Sequence, residues 1–277
     1  MNGAGPVRTY RDFIAGRSPF AAARDAARDL AIRGLALGRS PENSRGWIRF
    51  PYYHHVFDDE RRDFARQLDF MAGHGDFIGL DQAVDMLESG AAIDGRYFCL
   101  TFDDGFKNWI TNAVPILAEK QATATFFVVT RYIGASVERD RELLKGFYSA
   151  GDRLMEFLDW EDCRAMMGAG FGVGSHTMNH VHLAELDETQ VAAELAGSKR
   201  LIEEKTGGPC RHFCCPFGRE GVDFLPGRDP EIARRVGYRS FLTGHRGAMR
   251  QGGSPLRIRR DHLLAGWGDH QLRYFFS

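Results

Sequence analysis

A single α/β domain of parallel strand–helix units, curled into a barrel-type sheet, is the fold class this sequence predicts. From residue 47 onward, short apolar runs of strand length alternate with segments of helical periodicity. No internal repeat, low-complexity tract or linker-like stretch divides the chain, and its 277 residues suit one α/β barrel domain.

The first 45 residues stand apart as an N-terminal helical extension, with residues 46–277 forming the main domain. SPFAAARDAARDLAIRGLALGRS, residues 18–40, reads as an Ala-rich helix with Ser18 as N-cap and Pro19 in its first turn. It places Phe20, Leu30 and Leu37 among arginines and aspartates. A packing helix, or a contact between copies of the chain, is the expectation; Asp25 and Asp29 argue against a membrane-surface helix.

Candidate strands follow at 47–53, 96–102, 123–130, 171–175, 211–217, 238–243 and 256–260. Helical patterns lie between them at 58–74, 80–89, 108–121, 159–170, 187–207 and 229–237. Asp187 before the longest of these and Gly207-Gly208 after it are start and stop signals. Segment 131–158 is the least regular and reads as a long loop over one face.

Hydrophobic residues at 43% and charged residues at 26% are ordinary for a globular protein. A formal net charge of −1 gives no electrostatic case for nucleic acid. No stretch approaches the ~20 apolar residues of a membrane span, and the N-terminus lacks the apolar core of a signal peptide. Five cysteines do not suggest a disulfide framework, so a cytoplasmic, reduced setting is expected.

The chemistry concentrates in two stretches. FCLTFDDGFKN, residues 98–108, ends a candidate strand with Asp103 and Asp104, and functional groups of parallel βα folds gather at the carboxyl ends of strands. Gly105 permits a sharp turn, so two side chains that would diverge along a strand could share one site. A helix N-cap would explain one aspartate, not two. GSHTMNH places His176 and His180 after another candidate strand; at i and i+4 on a helical turn they would share a face. Two histidines and one carboxylate form a catalytic zinc set with an open position for water, leaving the second carboxylate to act as base.

LTFDDG, SHTMNH and CCPFG, in that order, resemble the motifs of the polysaccharide deacetylases of the NodB-homology group, carbohydrate esterase family four. The likeness runs from about Tyr53 to Arg259. It implies a deformed (β/α) barrel of fewer than eight strands, about seven here, that removes N-acetyl groups from amino sugars. It also implies Asp103 as general base and Asp104, His176 and His180 as metal ligands. Pro216 and Phe217 would form the site wall, with a backbone N–H near Phe217 facing the oxyanion. Zinc suits the ligand set, and cobalt, nickel or iron are accepted by the same donors.

Two departures shape further expectations. Cys214 stands where many members carry an arginine that orients the base, so Arg257 or Arg259 is expected to supply that charge. The family's C-terminal histidine motif is not evident; instead PYYHHV resembles the YHxV element of a permuted branch, which makes His54 the general acid. The resemblance implies an N-acetylated carbohydrate substrate: a bacterial surface polysaccharide, an oligosaccharide, or a lipid- or nucleotide-linked precursor handled at the inner face of the membrane. O-acetyl esterase and cyclic-amide hydrolase activities, or an inactive glycan-binding protein, are the alternatives.

Overall fold

The computed structural model describes residues 5–148 and 153–277; the first residues of the 1–45 extension and the middle of the 131–158 loop lie outside them. Among the described residues ten strands form two sheets. They are β1 (Trp47–Arg49), β2 (Pro51–Tyr53), β3 (Asp76–Phe77), β4 (Arg96–Phe98), β5 (Leu100–Asp104), β6 (Ala124–Val128), β7 (Gly172–Ser175), β8 (His212–Cys214), β9 (Ser240–Leu242) and β10 (Asp261–His262). The main sheet has seven strands in the order β10-β2-β5-β6-β7-β8-β9, and β1-β4-β3 form a small second sheet. Every pairing within both sheets is parallel.

The seven-stranded sheet is curled into a deformed (β/α) barrel, as the sequence predicts, and one short segment brings its ends together. Ile258 N–H donates to Phe241 and Thr243 N–H donates to Ile258, tying this segment to β9. Asp261 and Leu263 N–H then donate to Phe50 and Tyr52 on the other side, tying it to β2. Residues 258–263 therefore join the two edges, removing the unpaired edges an open sheet would present.

Pairing partners explain where the observed elements depart from the expected ones. Residues 47–53 and 96–104 keep one register, Trp47 facing Arg96 and Tyr53 facing Phe102. They form a parallel ribbon that passes from one sheet to the other at Phe50 and Cys99. The strand expected at 96–102 runs on to Asp104, so both aspartates belong to β5 itself. The strand expected at 256–260 begins instead as a tight turn, Pro255–Arg257, with pairing to β2 only from Asp261. The helical stretch 108–121 opens with a wide π turn, Trp109–Ala113, before the α-helix Val114–Glu119; Pro115 has no N–H to continue an α ladder into that turn. Three helices, Tyr10–Phe13, Arg141–Lys145 and Asp269–Phe276, lie where no helical pattern was assigned.

Alternation along the strands sorts side chains into two layers. Phe102, Phe126, Phe213 and Phe241 belong to the larger core under the helices. Phe50, Cys99, Phe127, Cys214, Leu242 and Ile258 meet in a second, inner cluster. Phe127 fills that interior because Gly174 faces it: a Cβ there would lie 2.5 Å from the ring. The same parity continues upward on each strand, so 54, 103, 176, 214 and 260 are the next inward positions at the carboxyl ends.

Two buried polar side chains hold the last segment over this mouth. Gln67 donates to the carbonyls of Leu264, Ala265 and Trp267 and accepts from the Tyr53 hydroxyl. Glu60 accepts from Phe57 and Gly266 N–H at 3.3 and 2.9 Å. Burial pushes the Glu60 carboxyl up to about 7, against the opposing pull of those two N–H groups. A carboxyl whose folded pKa is raised stabilises the fold below its unfolded pKa and loses that contribution as pH rises through the folded value. The stability difference between wild type and Glu60→Gln is therefore expected to shift by about 3 kcal/mol against wild type between acid and mildly alkaline pH. Urea unfolding of both proteins across that range measures it; parallel curves would refute the assignment.

Candidate active site

The carboxyl ends of β2, β5, β7, β8 and the closing segment meet in a cavity of about 600 Å³. Asp103 is its most enclosed acid. Arg260 donates to both carboxylate oxygens, Nη1 to Oδ1 at 2.8 Å and Nη2 to Oδ2 at 2.7 Å, and all of this lies buried. The Cys214 thiol sits 3.6 Å from the same two oxygens. Burial acts upward on the Asp103 pKa, but the Arg260 guanidinium and then His176 outweigh it, leaving the carboxyl below its ordinary value. Burial raises the Cys214 thiol well above its usual value, so it stays a neutral donor. Arg260 also lies over the Tyr52 ring, 4.0 Å from its centroid.

Asp104 reaches the same cavity by a different backbone. An extended strand would send it to the outer layer, but its φ of 96° and the 102° of Gly105 swing the side chain to the mouth. His176 Nε2 and His180 Nε2 face Asp104 Oδ1 at 3.5 and 3.3 Å. That oxygen is buried and lacks a hydrogen-bond partner among the described residues. His176 Nδ1 lies 2.8 Å from the Cys214 carbonyl oxygen, so Nδ1 donates there and Nε2 is the ring nitrogen turned to Asp104. Burial lowers the His180 pKa, keeping that ring neutral. Burial would raise Asp104, but His54, then His176 and His180, hold it well below the ordinary range.

An ionised carboxylate with an orphaned buried oxygen and two imidazole Nε2 atoms turned toward it fit a divalent cation, with ligand atoms within 4.8 Å of one another. The two histidines are not on a helical turn, as their spacing suggested. They follow β7 in a tight loop in which Thr177 and His180 take positive φ of 67° and 58°, and Thr177 Oγ1 accepts from His180 N–H.

His54 comes from the end of β2. Its Nδ1 is 3.2 Å from His262 Nε2, and the indole of Trp109 donates to its carbonyl at 2.7 Å. Burial pushes the His262 imidazole down to about 3, so it meets His54 as a neutral ring. His55 turns away among Phe57 and Phe106 and bonds the Tyr148 hydroxyl at 2.7 Å. Phe217, at φ 59°, stacks on His182 and approaches His180, forming the opposite wall beside Pro216.

Arg257 and Arg259 are not at Asp103. Arg257 pairs with Glu220 on the surface, and Arg259 is exposed. From Ile258 the segment is extended and alternate side chains point oppositely, so Arg259 faces out while Ile258 and Arg260 face in, and Arg257 is exposed at the end of the preceding turn. Parity with the buried Ile258 is the signal that would have selected Arg260. Sequence reading also missed His262, the wall residues Phe147 and Tyr148 from the irregular loop, and Tyr10, Phe13 and Arg17 from the N-terminal segment.

With this geometry in place, comparison with known proteins is direct. The sequence model of the family described as polysaccharide deacetylase matches residues 91–241. A putative polysaccharide deacetylase of Bacillus subtilis, YxkH, is 26% identical over 60% of this chain and 51% of its own length. A chitooligosaccharide deacetylase of Azorhizobium caulinodans is 26% identical over 50% of this chain and 54% of its own. The chain thus spans about half the length of these curated relatives. Among solved structures, IcaB from Ammonifex degensii superposes with a TM-score of 0.69 at 24% identity, over 84% of this chain and 97% of that one. The deacetylase PplD of Streptococcus pyogenes, solved with acetate, gives 0.66 at 21% identity, over 84% and 99%. These likenesses establish the fold over most of the chain.

Removing Arg260 would leave Asp103 buried beside Asp104 with no cation. Arg260→Met is expected to lower unfolding free energy at neutral pH by about 3–5 kcal/mol, the usual cost of breaking a buried pair from one side. Denaturant titration of the variant tests this, and a change within error would show that the pair does not stabilise the fold.

Proposed function

The chain belongs to the polysaccharide deacetylase family, and on that premise we propose that it is a metal-dependent hydrolase removing an N-acetyl group from an amino sugar of a bacterial surface polysaccharide, an oligosaccharide or a lipid- or nucleotide-linked precursor. The observation that carries this reading is the division of labour between two adjacent aspartates. Asp104 turns an unpartnered oxygen toward two imidazole nitrogens, while both Asp103 oxygens are held by Arg260.

Asp104, His176 and His180 would hold the cation, zinc by ligand type, with cobalt, nickel or iron suited to the same donors, and it would supply Lewis acidity and water activation at neutral pH. Asp103 is the general base that accepts the proton of the attacking water, and Arg260 fixes its orientation and keeps it ionised between turnovers. His54 donates a proton to the departing amine, which leaves poorly without one. His262 stands against its other face. Pro216 and Phe217 shape the wall, with the backbone N–H near Phe217 stabilising the developing oxyanion. The names of the curated relatives support an acetylated amino-sugar substrate, and the enclosed aromatic walls suit stacking on a sugar face.

Elemental analysis beside acetate release from N-acetylglucosamine oligomers and nucleotide- or lipid-linked N-acetyl sugars tests the proposal. Asp104→Ala is expected to lose the metal. Asp103→Asn is expected to retain it while turnover falls by about 10²–10⁴-fold, the contribution of a positioned base. Full activity in Asp103→Asn would refute the base assignment. Metal without acetate from any substrate would shift the reaction to another acyl group, and a protein that loads no metal would be a binding protein.

A further inference from the structure

Among the described residues, the large hydrophobic side chains that stand exposed form two groups. One is Phe217, Val222 and Leu225 beside the cavity mouth. The other is on the helix Pro19–Leu35 and the turn after it: Phe20 is 78% exposed, Leu30 72% and Leu37 81%, with Leu35 beside them. Within that helix only Ile32 is buried. A helix of this length, about 25 Å, that buries one large side chain leaves most of its apolar surface without a partner in the fold.

The charges on this helix are sorted by face. At 100° per residue, Asp25 and Asp29 fall on the side of Ile32 and Ala36, against the barrel. Both acids are occupied there. Asp29 accepts from His270 and Gln271 at 2.6 Å and from Arg33 at 2.8 Å, and Asp25 pairs with Arg17 and Arg24. The outward side carries Phe20, Ala27, Leu30, Ala31 and Leu37, with Arg24 along one border and Arg33 along the other, while Arg28 leans toward the barrel. No acidic side chain of the helix interrupts that face. Residues 1–45 hold eight arginines against four acidic residues in a chain whose formal charge is −1.

We propose that this helix is an interfacial element that docks on an anionic lipid surface, its apolar face inserted and its flanking arginines on the headgroups. Asp25 and Asp29 are what argue in the sequence against a membrane-surface helix; the structure turns those two charges away from the face in question. The surface also leads to the candidate active site. A cleft of about 850 Å³ runs beneath the helix past Ile32, Arg28 and Arg24 and shares Tyr10, Phe13, Arg17 and His262 with the catalytic cavity. A membrane-linked substrate would thus have a route from the docked helix to the site, although the docking itself does not depend on the reaction.

Sedimentation of the full chain with vesicles of phosphatidylcholine alone, or of phosphatidylcholine mixed with phosphatidylglycerol, tests the proposal. Partition is expected only with the anionic vesicles and is expected to weaken in high salt. Arg24→Ala with Arg33→Ala should weaken it by about 30-fold, and Leu30→Glu with Leu37→Glu should abolish it, with melting temperatures unchanged because these side chains are exposed. Absence of partition, or partition unaltered by both variants, would overturn the proposal. So would a dimer in analytical ultracentrifugation that is lost in the leucine variant, since a second copy of the chain would then cover the face.

Discussion

The ion pair between Asp103 and Arg260 ties the barrel's closure to its chemistry. Arg260 lies on the segment that hydrogen-bonds β9 on one side and β2 on the other, and its guanidinium reaches across the interior to β5. Burying both charges carries a heavy desolvation cost, which two short bonds and a neighbouring thiol offset only if the closing segment holds its register. A slip of one residue would turn Arg260 outward and place Arg259 or Asp261 against Asp103. Cys214 is part of the same arrangement: a small side chain there leaves room for an arginine to arrive from another strand and lie over Tyr52.

The barrel accounts for the rest of the site through its period of two. His54, Asp103, His176, Cys214 and Arg260 are inward positions of their strands or of the residues that continue them. They converge because the sheet curls, with no loop needed to carry them inward. Asp104 and His180 are the exceptions, and each takes a positive φ. Of five non-glycine residues with positive φ among the described residues, four are Asp104, Thr177, His180 and Phe217. Such conformations each cost of order 1–3 kcal/mol and persist where the surroundings enforce them. Their clustering at one mouth is an independent structural sign of a functional site.

Much of this was legible in the sequence because strand periodicity and motif spacing are local signals. The ribbon 47–53, the pair at 103–104 and the histidines at 176 and 180 all announce themselves within a few residues. What was not legible depends on contacts distant in sequence. The register of 258–263 between two strands, some 18 and 210 residues away, decides that Arg260 rather than Arg257 or Arg259 meets Asp103. His262 acquires a role only because that register sets it beside His54. The turn carrying His176 and His180 has the i, i+4 spacing of a helix without being one, since spacing alone does not report φ.

Separating residues 1–45 from the barrel, natural from their composition, conceals how closely their first part is joined to the site. Tyr10 and Arg11 N–H donate to Asp59, and Phe13 packs on His55, Phe57 and Tyr148, whose hydroxyl in turn holds His55. One wall of the cavity is therefore made by the N-terminal segment, and the facing loop meets it through Tyr148. Neither belongs to the strand–helix repeat that builds the reacting centre. The inward rows of the barrel place the ionisable groups at the floor of the cavity, whereas the flanking segments shape its walls. The same N-terminal segment continues into the helix whose apolar face is unpartnered, so the wall of the site and that outer surface form one continuous piece of chain.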